Sequence, residues 1–316
     1  MRKLLALVVA VAAVLAACGG QTATTNDPYE LLSKSQSASW DRVQVDIGLS
    51  VTGPEEISID PSALRIAVDT ETERVNVHVA FPISALGDSA AELRQLGITG
   101  DSLEFDAIYD GDALYAKSPL GNLLAALMIQ AGEIPTGDMT GWLKLLSKAD
   151  FESMVDRFGG GFTPVPMPDD LPIPSAADSA TLKATLEGMG VTLTYAGTES
   201  HNGVDAEKVT ADVDLAKLAD SDYFSGLGSD GTMDLNPDEA TLAVDLWFDR
   251  GNSRLIGIDV HAASTSDQSQ KADITINLHE PDAGVSFDAP ASFVDVPLME
   301  MISTLMETFG GGLIPQ

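Results

Sequence analysis

The chain has 316 residues, with 17 Lys and Arg against 48 Asp and Glu and a formal net charge of −31 at pH 7. A field of that sign repels phosphate backbones and anionic headgroups, which argues against a nucleic-acid partner and against a body lying flat on an acidic bilayer. Aromatic residues make up 6 %, which argues against stacked recognition of sugars or bases as the main activity.

In chain order, Arg2 and Lys3 supply a positive start, and Leu4–Ala17 is a run of fourteen apolar residues. The run is short of the ~20 residues a bilayer-spanning helix needs and suits the h-region of an export signal. The single cysteine, Cys18, stands where the run ends, and Leu15-Ala16-Ala17-Cys18 resembles the lipobox of bacterial lipoproteins. That resemblance implies cleavage before Cys18 and transfer of a diacylglyceryl group to its sulfur. Residues 1–17 are then a lipoprotein signal peptide, Cys18 the lipid anchor, and the outer face of a bacterial cell membrane the expected location. One acyl chain, at ~0.8 kcal/mol per buried CH₂, holds marginally, whereas the two or three of a mature lipoprotein hold stably. No second cysteine exists to pair with this thiol. Cleavage leaves about 299 residues and, with Arg2 and Lys3 gone, a charge of −33.

Residues 18–26 comprise the acylated cysteine and a polar tether with no hydrophobic period; the folded part, 27–316, is predicted as a single domain. Asp27, Pro28 and Glu30 form an N-cap, a first-turn proline and an acidic first turn, which predict a helix to about Ser39. From Asp41 the apolar residues alternate: Val43, Val45, Ile47, Leu49 and Val51. Period two marks a half-buried strand. The same phase recurs at 64–68, 75–81, 103–107 and 114–116, and later at 191–195, 204–213, 242–248, 256–260, 274–278 and 285–287, so about eleven strands are expected. Turns at 109–112, 201–203, 249–252 and 282–284 suit hairpins.

Between the two groups the spacing is helical: Leu120, Leu123, Leu124, Leu127 and Met128 form one apolar stripe, Trp142, Leu145, Leu146 and Ala149 a second, and Phe151, Met154, Val155 and Phe158 a third. Residues 159–174 carry five prolines and are predicted as an extended connector. Leu298–Phe309, including Met301, reads as a Met-rich apolar helix ended by Gly310-Gly311-Gly312. No repeat divides the strands into separate cores, and the order of elements favours an α+β fold with one curved sheet.

The segments LLSKSQSASWDRVQVDIGLSV (31–51), YDGDALYAKSP (109–119), GTESHNGVDAEKVTADVDLAKL (197–218), LAVDLWFDRGNSRLIGIDVHA (242–262) and ITINLHEPDAGVSFDAPASF (274–293) resemble the LolA/LolB-like superfamily, and within it the LppX/LprG-type bacterial lipoproteins. The resemblance extends over nearly the whole mature chain. It implies a half-open, curved antiparallel barrel whose concave apolar face is covered by helices and holds acyl chains of a lipid or lipidated ligand. Period and resemblance together assign Val45, Ile47, Val77, Phe105, Leu246 and Ile258 to the lining, with helices near Leu124, Leu146 and Met301 as its cover. The Pro-rich stretch and Met-rich tail depart from the family pattern, which bears on ligand size and lid geometry.

Signals of chemistry are sparse. GLGSDG (226–231) satisfies G-x-G-x-x-G but sits in an acidic loop without the strand-turn-helix context of a phosphate cradle. Neither G-x-S-x-G nor H-E-x-x-H occurs. His78, His261 and His279 fall on the polar phase of their strands and His201 in or beside a turn, the pattern of exposed histidines rather than a metal site. The acidic loop 220–239 offers oxygen ligands to Ca²⁺ but lacks the glycine and distal glutamate of an EF-hand loop. No cofactor is called for. The expected function is therefore a non-enzymatic, membrane-anchored lipid-binding or lipid-carrying lipoprotein. The alternatives are an envelope interaction or sensor lipoprotein whose core is filled, and an enzyme of unfamiliar type, which would show paired titratable groups in a pocket.

Overall fold

A computed structural model describes residues 25–36, 40–53, 56–86, 100–119, 137–150, 178–219, 240–267 and 269–296, with isolated positions between them. Cys18, Leu124, Met301, most of the 120–128 stripe, the 151–158 stripe, the Pro-rich stretch, the acidic loop 220–239 and the predicted C-terminal helix lie outside the described residues.

The elements are α1 (Pro28–Ser35), β1 (Arg42–Thr52), β2 (Ile57–Ile59), β3 (Leu64–Asp69), β4 (Arg74–Pro82), β5 (Ser102–Tyr109), β6 (Ala113–Lys117), β7 (Leu143–Ser147), α2 (Ser179–Gly188), β8 (Val191–His201), β9 (Val204–Val213), α3 (Leu215–Ala219), β10 (Ala240–Asp249), β11 (Leu255–Ser264), β12 (Lys271–His279) and β13 (Val294–Asp295). Thirteen strands form a mixed sheet in the order β13-β7-β6-β5-β4-β3-β1-β12-β11-β10-β9-β8, with β2 paired to β1 off that path. The chain divides into two compact units, one drawn from Met1–Asp41, Val45–Ser62 and Met167–Glu280, the other from Arg42–Gln44, Ala63–Pro166 and Pro281–Gln316.

In the first unit, alternation along β10 places Leu242, Val244, Leu246 and Phe248 on one face, all buried. Leu246 lies opposite Ile258 on β11 and Val209 on β9, and Val244 opposite Val260 and Ala211. Full burial of such side chains contributes about 1.5–3 kcal/mol each. Helix α1 is capped by Asp27, whose Oδ1 accepts from the backbone N–H of Tyr29 at 2.9 Å and of Glu30 at 3.3 Å. Asp178 caps α2 in the same way, accepting from Ala180 at 3.0 Å and Thr181 at 2.9 Å. The adjacent Leu31 and Leu32 of α1 are buried, as are Leu182 and Leu186 of α2 at i and i+4. The Tyr29 hydroxyl donates to Glu187 Oε1 at 3.2 Å and accepts from the Leu193 backbone N–H at 3.1 Å, which ties both helices to the edge strand β8.

The second unit is built on the antiparallel ladders β3–β4, β4–β5, β5–β6 and β6–β7, closed by the parallel pair β7–β13. Residues 281–293 run over the polar face of its first strands. Asp282 accepts from Gln44 Nε2 at 3.2 Å and its backbone N–H donates to Gln44 Oε1 at 3.0 Å. Asn76 Nδ2 donates to the Ser286 carbonyl at 2.8 Å, and Arg74 pairs with Asp288 at 3.0 Å. Gln44 is fully buried beneath this strap with its amide satisfied on both sides.

Four expectations are corrected. The α1 helix ends at Ser35, before Ser39. The helical stripe at 142–149 is interrupted by strand β7, because Leu143–Ser147 completes the ladder with β6 and receives β13. Residues 285–287 alternate like a strand, yet they belong to the strap, where a turn bond from the Val285 N–H to the Asp282 carbonyl and the Asn76 side chain at the Ser286 carbonyl stand in place of a ladder. Among the described residues there are thirteen strands rather than about eleven, since β2, β7 and β13 were not anticipated, and the sheet is mixed.

Candidate functional site

The apolar phases of β3, β4, β5, β6 and β7 fall on one face of the second unit. The ladders align Ile66, Val77, Ala107 and Ala116 in one row, and Leu64, Val79 and Phe105 in the next. A third row joins Val68, Val75, Tyr109, Leu114 and Leu146. No side chain in these rows carries a charge. The only polar atom among them, the Tyr109 hydroxyl, donates to the Gly111 carbonyl at 2.9 Å.

Packing fills the margins of this face. Leu143, Met128, Met139 and Val296 form a buried cluster beside β7. Ile83, Ala90 and Ile98 form another, with Leu103 against it. Between them Ile66, Val77, Val79 and Ala107 are half-buried and Phe105 is 39 % exposed. In the first unit, by contrast, Leu246 and Ile258 are both 0 % exposed. At about 25 cal/mol per Å² of apolar area removed from water, these half-buried side chains leave part of their burial energy unrealised.

The structure therefore brings Val77, Phe105 and Leu146 onto one face and assigns Leu246 and Ile258 to a sealed core. Leu146 reaches that face from a strand, not from the helix predicted for it. Val45 and Ile47 share the apolar side of β1 and are half-buried. Cys18, Leu124 and Met301 lie outside the described residues.

Several polar side chains outside these rows are paired, while Gln36 Oε1 and Arg65 Nε are buried without a hydrogen-bond partner. Glu207, buried, accepts at Oε2 from the Tyr195 and Thr198 hydroxyls and at Oε1 from Arg250 Nε at 2.9 Å. Burial alone would push its carboxyl up, but those three donors outweigh burial and hold it below the ordinary glutamate value. Tyr195 is pushed up in turn, first by its bond to Glu207. His78 lies 2.7 Å from Asp106, His261 2.7 Å from Asp273, and His279 3.0 Å from Asp46. Of the four histidines only His261 is exposed; His78, His201 and His279 are half-buried. The period-two pattern located these side chains on the polar face but not their cross-strand carboxylates, because register is invisible in one strand. Among the described residues no group of three or more His, Cys, Asp and Glu is placed to hold a metal ion.

No protein-family model and no curated protein matches the sequence. Among solved structures the chain is similar to the lipoprotein LppX of Mycobacterium tuberculosis, at 13 % identity over 78 % of this chain and 89 % of that one, with a TM-score of 0.32. It is similar to LprF of Mycobacterium bovis at 11 % identity, covering 85 % of this chain and 99 % of that one, with a TM-score of 0.35. A LolA superfamily protein of Nitrosomonas europaea aligns at 9 % identity over 82 % and 95 % of the two chains, with a TM-score of 0.20. These neighbours are of the LppX and LolA types that the strand segments resemble.

Proposed function

We propose that this protein is a non-enzymatic lipoprotein that binds acyl chains of a lipid or lipidated ligand, held to the outer face of a bacterial cell membrane by acylated Cys18. The observation that carries the reading is the uncharged, incompletely buried face of the second unit, centred on Val77, Val79 and Phe105. Burying each CH₂ of a ligand tail there gains the same ~0.8 kcal/mol as burying one of leucine, so a tail completes packing that the rows leave unfinished. Polar headgroups find no partner among these rows and stay outside them. Anchoring by acyl chains is consistent with the acidic composition, which supplies no basic surface for headgroup attraction.

The test is extraction of the full chain from a bacterial host, followed by lipid mass spectrometry and titration with a fluorescent fatty acid. Co-purified acyl lipid, displaced by the probe and lost in Val77→Asp, is expected. Lipid-free protein that ignores the probe would remove this reading. For the anchor, Cys18→Ser is expected to shift the protein from the membrane fraction to the soluble fraction.

A further inference from the structure

In the first unit a groove of about 590 Å³ opens where the β8–β9 and β10–β11 turns meet the last residues of β12 and the segment leading into β1. Its volume is that of a small-molecule site. It shares no residue with the apolar rows, and its lining is of another kind: His201, Asn202, Asp249, Asn252, Arg254, Asn277 and Glu280 alternate with Trp40, Val204 and Ile256. We propose that this groove binds a neutral, hydroxyl-rich ligand of the saccharide class.

One wall is built in advance of any ligand. Asn277 Oδ1 accepts from Asn202 Nδ2 at 2.7 Å and lies 3.1 Å from His201 Nε2. A carbonyl oxygen only accepts, so His201 Nε2 donates the hydrogen in this pair. The imidazole stacks on Trp247 with ring centroids 4.6 Å apart and an interplanar angle of 22°. It fits there because β11 carries a glycine in its interior: a Cβ on Gly257 would come 2.3 Å from His201 Nε2. Glycine weakens a strand and marks a close approach to its backbone. Asn202 and Gly203, with φ of 50° and 81°, form the left-handed hairpin turn that presents this edge.

The opposite wall is also ordered. The Arg254 guanidinium lies 4.6 Å from the Trp40 ring centroid and 3.5 Å from Glu280 Oε1, and Asn252 Oδ1 accepts from the Arg254 backbone N–H at 2.9 Å. Because Arg254 covers the indole, recognition here rests on hydrogen bonds rather than stacking, in keeping with the low aromatic content.

The lining discriminates among ligand classes. An acyl chain would strip water from Asp249, Glu280 and the asparagines and offer them no hydrogen bond in return. An anion would face Asp46, Asp249 and Glu280, and the groups that would favour it, the Arg254 guanidinium and the His279 ring, already lie against Glu280 and Asp46. A hydroxyl both donates and accepts, and only a ligand carrying several of them matches a wall of amides, an imidazole and carboxylates in alternation.

The test uses the full chain in a non-glycosidic detergent, titrated calorimetrically with methyl α-D-mannoside, methyl β-D-galactoside and maltose, with sodium phosphate as the anionic control. A parallel arm measures binding to phosphatidylcholine vesicles with and without galactosyl diacylglycerol. Saturable binding in either arm, with phosphate inert, is expected; soluble sugars report a free saccharide, and the galactolipid vesicles alone report a headgroup. Asn277→Ala and Glu280→Gln should each weaken binding by about tenfold, as for one lost hydrogen bond. Glu280 is surface-exposed, so its variant folds whether or not Asn277→Ala does. Silence of every sugar probe, displacement by phosphate, or affinity unchanged in Glu280→Gln would overturn the proposal.

Discussion

Phe105 lies directly opposite Val79 in the β4–β5 ladder, and its ring remains 39 % exposed. Cross-strand pairs of this kind normally close against a second layer. Leu246 and Ile258 form the same kind of pair in the β10–β11 ladder and are fully buried. Stability should therefore respond very differently at the two places. Ile258→Ala is expected to cost about 3 kcal/mol in urea unfolding, through lost burial and the cavity left behind. Phe105→Asn should change stability by under ~1 kcal/mol while abolishing fatty-acid binding.

The Glu207 network sets an acid dependence. A carboxyl held below its ordinary value contributes stability that is fully present above the unfolded value, 4.5 for glutamate, and is lost as pH falls through the lower folded value. Glu207→Gln should flatten the acid limb of the unfolding curve below about pH 5, read by near-ultraviolet circular dichroism. Glu207→Ala leaves Tyr195, Thr198 and Arg250 without their acceptor and is expected to cost about 2 kcal/mol.

The Gly257 position predicts a clash and its relief. Gly257→Ala should expel the His201 imidazole from Trp247, raise tryptophan exposure to acrylamide quenching and cost about 1–3 kcal/mol. Adding His201→Ala should recover most of that loss, because the atom struck by the new Cβ is then gone. Non-recovery would place the strain in the strand backbone instead.

Capping by Asp27 gives a simpler expectation. Asp27→Ala removes the acceptor of the Tyr29 and Glu30 N–H groups and should cost about 1 kcal/mol by urea titration, with Asp27→Asn nearly neutral.

Strand identity was readable where apolar and polar residues alternate. Val75, Val77, Val79 and Phe81 alternate with Asn76, His78 and Ala80, and β4 is where that alternation places it. The N-cap at Asp27 with Pro28 was equally plain, because capping involves neighbours within three residues. The apolar face of the second unit followed from the same phase, which places Val77 and Phe105 on it together. At Leu143–Ser147 the local pattern misled: Leu145 and Leu146 continue a helical stripe, yet the segment is a strand because β6 and β13 supply its hydrogen-bond partners.

Period-two and cap signals are written in residues close together along the chain, so the amino-acid order alone located the long alternating strands such as β1, β4 and β10, the greasy side of each, and the start of α1. Whether a greasy side is sealed, as at Leu246 and Ile258, or left half-covered, as at Val77 and Phe105, depended on what distant segments bring to it. The same holds for the groove around Asn277, whose walls come from stretches more than two hundred residues apart in number, Trp40 and Glu280 among them. Register, layer coverage and cross-strand pairing are relations between remote parts of the chain, and burial energy is defined only once those parts have met.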